Sequence, residues 1–233
     1  MNKCTIRKCA QIANDAYGIT LCLDDVLCIE DKQTDTQVFI GETERYIYIS
    51  SRGTSNLQDV IQDIKIWRTR CNFLKNTKIH AGFLEQYMSV RKDIKEDILK
   101  RIEKSNKKIV CTGHSLGSAI STICALDLKL QLPEQHISCI TFASPRVGNT
   151  KFAKLFNDNI DTSHRFVFHR DPITYSPVCI RFRHVKGCIH FKKDGTTEMS
   201  ETYFMPLGCF ITQHYMSKYI EAVEEWLNGI DMC

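Results

Sequence analysis

The spacing of apolar and polar residues divides the chain into short helices and strands. Ile6, Cys9, Ala10, Ala13 and Tyr17 recur along one helical face, predicting an amphipathic helix over residues 5–16 that Gly18 stops. Runs rich in β-branched and aromatic residues follow at Val26–Ile29, Gln37–Ile40 and Tyr46–Ile49, with turn chemistry at 31–35 and 41–44; these predict antiparallel strands leading into the core. A short helix is predicted over Leu57–Asp63, then a long one over residues 84–104 with Leu84, Tyr87, Met88, Ile94, Ile98 and Ile102 as its apolar stripe. Ile109–Thr112 predicts a strand. A helix carrying Ile120, Ile123, Cys124 and Leu128 runs from there to Pro133, and Ile137–Phe142 and Arg165–Phe168 predict two more strands. A last helix over residues 217–227 turns Ile220, Val223, Trp226 and Leu227 inward. Strands alternating with helices predict one α/β domain over residues 1–233, with a mainly parallel sheet whose ligands gather at the carboxyl ends of the strands.

Between the strand ending near Thr112 and the helix after it stands Gly113-His114-Ser115-Leu116-Gly117. A G-x-S-x-G pattern in a strand-turn-helix setting is a nucleophile elbow: the strained turn lifts the serine, and the flanking glycines carry no Cβ to clash with the crossing strand and helix. Ser115 is therefore the candidate nucleophile. Its place at a helix N-terminus favours the negative charge that develops in acyl transfer. The Leu116 N–H is one candidate oxyanion donor. Thr54, in Ser51-Arg52-Gly53-Thr54 at the end of an early central strand, is the candidate for the other.

Composition narrows the class without changing it. With 233 residues, 43% apolar and 25% charged, the chain has the make-up of a globular domain, and no apolar run approaches the ~18 residues of a membrane span. A formal charge of +4, without aromatic interleaving, gives no sign of nucleic-acid binding. The twelve cysteines are spread along the chain without a C-x-x-C pair, and Cys111, Cys139 and Cys188 lie within apolar strand patterns. That distribution predicts mostly buried, reduced thiols rather than a disulfide framework or a zinc site. The first residues lack the uninterrupted apolar centre of a signal peptide. An intracellular location is expected, cytoplasmic or peripheral at membranes or lipid droplets.

A serine nucleophile needs a base, and the base a carboxylate to orient it, in the chain order Ser, Asp or Glu, His for this fold. Asp171 directly follows the strand ending at Phe168 and is the candidate orienter; Asp158, Asp161 and Asp194 lack a strand leading into them. His184, His190 and His214 follow it.

Five separated stretches are together similar to the class 3, fungal-type lipases of the α/β-hydrolase superfamily. They are Arg52-Gly53-Thr54, Ile79-His80-Ala81-Gly82-Phe83, Gly113–Gly117, Thr141–Asn149, and Arg170-Asp171-Pro172 with Pro177 beyond. The resemblance implies hydrolysis of acylglycerols or related lipid esters through Ser115, Asp171 and a histidine shortly before the final helix, with Thr54 at the oxyanion and a lid over Ser55 to about Thr77. His214 fits that place, on a late loop, and His184 and His190 do not. No metal or organic cofactor is implied. Two rival readings are a catalytically silent scaffold that binds a lipid or protein partner, and a hydrolase of thioester or peptide bonds.

The lid stretch also predicts a partner. Val60, Ile61, Ile64, Ile66 and Trp67 stand beside Lys65, Arg68, Arg70, Lys75 and Lys78, a composition suited to transient contact with an anionic membrane surface. The oligomeric state stays open.

Overall fold

The computed structural model describes residues 2–18, 21–54, 68–70, 74, 76–178, 181–199, 208 and 210–229. Along the chain run α1 (Lys3–Asp15), β1 (Asp24–Asp31), β2 (Thr36–Glu42), β3 (Tyr46–Ser51), β4 (Arg68–Arg70), β5 (Lys78–His80), α2 (Ala81–Lys104), β6 (Lys108–His114) and α3 (Leu116–Gln131). They continue with β7 (Ile137–Phe142), α4 (Thr150–Asn159), β8 (Thr162–Phe168), β9 (Cys188–Phe191), β10 (Thr197–Glu198) and α5 (Met216–Gly229). Two 3₁₀ turns, Pro172–Tyr175 and Ile211–His214, follow β8 and precede α5. The predicted helix over Leu57–Asp63 and most of the Ser55–Thr77 lid stretch lie outside the described residues.

Eight strands form one sheet in the order β1-β2-β3-β6-β7-β8-β9-β10. The five from β3 to β9 are parallel, whereas β1, β2 and β10 pair antiparallel at the flanks. Both faces are covered, so the central strands are apolar on both sides rather than alternating with polar residues. On one face Ile47, Ile49, Ile109, Cys111, Ile137 and Cys139 pack with α2, α3 and α4. On the other, Tyr48, Val110, Ile140, Phe142 and Phe166 pack with α1 and α5.

Three expectations shift in detail. α2 buries Phe83, Leu84, Tyr87, Val90, Ile94 and Ile98, while Met88 is exposed. α5 buries Met216, Tyr219, Ala222, Val223 and Leu227, leaving Ile220 and Trp226 only partly covered. α4, which the apolar pattern did not predict, packs Phe152, Ala153 and Phe156 inward, and its N-cap Asn149 accepts the Phe152 N–H at 3.0 Å. Among the described cysteines, Cys9, Cys111, Cys124, Cys139 and Cys188 are buried, and Cys4, Cys22 and Cys28 are exposed.

Candidate active site

β6 delivers the chain to Ser115, whose backbone has φ 58° and ψ −126°. Such a conformation costs a residue with a Cβ about 1–3 kcal/mol and persists only where the surroundings enforce it. Here they do. The Ser115 N–H donates to the Phe142 carbonyl of β7 at 3.0 Å. One turn into α3, the Ser118 hydroxyl lies 2.7 Å from both the Gly113 and the Phe142 carbonyl oxygens, tying the helix to the ends of two strands.

The two elbow glycines have a measurable reason. A Cβ on Gly113 would lie 2.7 Å from the Gly117 carbonyl group, and one on Gly117 would lie 2.0 Å from the Ser51 carbonyl oxygen and 2.9 Å from the Arg52 carbonyl carbon. The first turn of α3 thus rests directly on the chain leaving β3, two residues before Thr54. Thr54 is half-buried on that loop, and Leu116 is the first residue of α3. A helix's first N–H groups have no acceptor within the helix, so Leu116 offers a donor at the spot where the Thr54 loop arrives.

The other two candidates follow β8 and precede α5. Asp171 begins the 3₁₀ turn after β8, where its Oδ1 accepts the Ile173 N–H at 2.9 Å. His214 ends the 3₁₀ turn before α5. Its Nε2 lies 2.7 Å from Ser115 Oγ and its Nδ1 lies 2.8 Å from Asp171 Oδ2. All three residues are fully buried. A carboxylate can only accept, so Nδ1 carries the proton in the neutral ring and Nε2 is left to accept from the serine hydroxyl. An imidazole held this way can take the serine proton while the carboxylate steadies the charge it acquires.

The rival histidines are engaged elsewhere. His184 Nε2 donates to the Thr174 carbonyl at 2.7 Å and His190 Nε2 to the His169 carbonyl at 2.8 Å; burial pushes both imidazoles below the usual histidine range. Sequence reasoning missed Tyr219, whose hydroxyl donates to Asp171 Oδ2 at 2.6 Å and accepts the Phe168 N–H at 3.1 Å. Its only sequence signal was a place on the apolar stripe of α5. Among the described residues, no group of three or more His, Cys, Asp or Glu side chains could hold a metal ion.

Sheet order, elbow and the Ser-His-Asp contacts together are those of an α/β-hydrolase. Residues 48–181 match the class 3 lipase family, and the chain belongs to it. A lipase of Rhizomucor miehei is 32% identical over 148 residues, covering 62% of this chain and 41% of that protein. A secreted mono- and diacylglycerol lipase of Fusarium solani is 30% identical over 150 residues, covering 63% and 44%. The chain spans less than half the length of either relative. Lipase II from Rhizopus niveus superposes with a TM-score of 0.81 at 25% identity, covering 91% of this chain and 92% of that one. A triacylglycerol lipase with a catalytic centre formed by a serine protease triad superposes with a TM-score of 0.78 at 23% identity, covering 90% and 91%. One expectation is overturned here: relatives from Fusarium solani and Malassezia globosa are secreted lipases, which contradicts the intracellular location. No described helix is long and apolar enough to cross a membrane.

Proposed function

We propose that the chain hydrolyses carboxylic-ester bonds of acylglycerol-type lipids through an acyl-enzyme. His214 takes the Ser115 proton, Ser115 Oγ attacks the ester carbonyl, and the N–H groups of Leu116 and Thr54 receive the oxyanion. The protonated His214 then passes its proton to the departing alcohol, and water repeats the cycle on the acyl-Ser115 ester. The carrying observation is the continuous line of hydrogen bonds, 2.7 Å from Ser115 to His214 and 2.8 Å from His214 to Asp171, on a serine held at positive φ. The names of the relatives as mono- and diacylglycerol lipases support the substrate class.

The test is a panel of triacylglycerol, diacylglycerol, monoacylglycerol, phospholipid and acyl-CoA substrates, with fluorophosphonate labelling of the wild type and Ser115→Ala. Acylglycerol cleavage and labelling are expected for the wild type, and neither for the variant. Cleavage by folded Ser115→Ala would overturn the assignment, and an unlabelled, inactive wild type would favour the scaffold. The proposed membrane contact predicts that vesicle hydrolysis rises with anionic lipid and falls with salt, while a soluble ester responds to neither. Arg68→Ala/Arg70→Ala with an unchanged lipid and salt response would sink that part.

A further inference from the structure

A half-buried tyrosine and a buried histidine lie against the base and the oxyanion loop, yet take no part in the chemistry. His114, the residue before the nucleophile, is 3% exposed, and its Nε2 lies 2.8 Å from the carbonyl oxygen of His214. Its Nδ1 lies 2.8 Å from the hydroxyl of Tyr17, in the turn that ends α1. The His114 ring also packs on the His214 ring, with centroids 4.6 Å apart and planes inclined by 36°.

The protons in this line can be assigned from chemistry. A carbonyl oxygen only accepts, so His114 Nε2 carries a hydrogen. Burial holds the His114 imidazole well below the usual histidine range, so the ring is neutral and Nδ1 is an acceptor. The donor facing it is the Tyr17 phenol, which burial keeps protonated. The line therefore runs in one direction, from the Tyr17 hydroxyl through His114 to the backbone of His214.

Tyr17 also meets the oxyanion loop. A Cβ on Gly53 would lie 2.2 Å from the Tyr17 hydroxyl oxygen and 2.7 Å from the His114 carbonyl oxygen, so the backbone just before Thr54 lies against this pair. We infer that Tyr17 and His114 are positioning residues: Tyr17 selects the His114 tautomer, and His114 Nε2–H anchors the backbone of His214 so that its ring spans Ser115 and Asp171. The inference rests on His214 being the base. It adds a specific demand, that the ring beside the base stay uncharged: when His214 takes the serine proton, a charged neighbour at 4.6 Å would oppose it, and neutral His114 does not.

Tyr17→Phe, His114→Gln and His114→Asn in the whole chain test this. A glutamine amide nitrogen reaches the place of Nε2 and can still donate to the His214 carbonyl; an asparagine amide reaches only the Nδ1 side. Misplacing a reacting group by an ångström costs up to about 10²-fold, so Tyr17→Phe and His114→Asn are expected to lower kcat on a soluble short-chain ester by roughly tenfold, with KM within about twofold. Fluorophosphonate labelling of Ser115 should slow in parallel, and His114→Gln should recover most of the loss. Wild-type kcat in folded Tyr17→Phe, or a glutamine variant no better than asparagine, would overturn the inference. A readout independent of turnover keeps it separate from the proposed catalysis. Imidazole ¹⁵N shifts should show the Nε2–H tautomer of His114 in the wild type, and the His214 carbonyl ¹³C resonance should move in Tyr17→Phe. A wild-type Nδ1–H tautomer, or an unmoved resonance, would overturn the pairing even where an ester is cleaved. A chain that cleaves no ester but shows both signals would sink the catalysis and keep the pair.

Discussion

Three neighbouring parallel strands each end in a side-chain-bearing residue at positive φ: Ser115 after β6 at 58°, Ala143 after β7 at 56°, and His169 after β8 at 44°. Each donates its N–H to a carbonyl at or near the carboxyl end of the next strand along, Phe142, Phe166 and Phe191 respectively. The sheet thus holds the residue by one more ladder bond, then turns the chain out at the same edge, which is why the side chains of the site converge there. At Ser115 the conformation costs a Cβ-bearing residue about 1–3 kcal/mol, a cost that glycine avoids. Ser115→Gly and Ser115→Ala should both lose hydrolysis, but the glycine variant should melt higher than the alanine variant, by about 2–4 °C for each kcal/mol of that cost. Equal melting temperatures in a thermal scan would show that the elbow stores no such strain. Ser115 was legible because its signal is local, two glycines and a serine between a strand and a helix. Asp171 and His214 were legible from chain order together with family resemblance. Tyr219 was not, because a tyrosine on a helical apolar stripe reads as core, and the carboxylate it serves lies 48 positions away.

At the scale of elements, the site depends on how closely α3 approaches β3. Gly117 makes that approach possible, with the Ser51 carbonyl oxygen 2.0 Å from where its Cβ would stand. Ser121 adds a polar tie in the same place: its hydroxyl donates to the Thr112 carbonyl and lies 3.0 Å from Ser51 Oγ, from which it can accept. Gly117→Ala should push the first turn of α3 away from the Thr54 loop, lowering hydrolysis by about 10²-fold, the range seen when one oxyanion donor is lost. The melting temperature should fall as well, because the atoms that must give way are backbone. An alanine variant with wild-type kcat would mean that loop and helix can separate without cost. The same closeness explains what the apolar pattern could and could not deliver. Long periodic stretches such as α2 were found, though its exposed face was misjudged at Met88, because one extra apolar residue at helical spacing looks like part of the stripe. α4 was missed because it has only ten residues, and its capping Asn149 sits inside the Thr141–Asn149 stretch read as family motif.

Over the whole molecule, buried and half-buried histidines set a direction for the pH dependence of stability. His114 is held well below its ordinary value, chiefly by burial, and His164, His169, His184 and His190 are lowered for the same leading reason. The sign follows from proton counting. Below an unfolded-state pKa of about 6.5 the unfolded chain binds protons that the folded chain refuses, so folding stability is full above that value and is lost as pH falls through it. Each histidine that stays fully neutral in the folded state contributes a slope of up to about 1.4 kcal/mol per pH unit in that window. Denaturant midpoints should therefore fall steadily between pH 6.5 and pH 5 by an amount that several such residues share. His114→Gln removes one of them while leaving its donor to the His214 carbonyl, so its midpoint should fall less steeply than that of the wild type over the same window. Parallel slopes for the two proteins would show that His114 takes up a proton in the folded state, which would also remove the neutral neighbour that the pairing with Tyr17 provides beside His214.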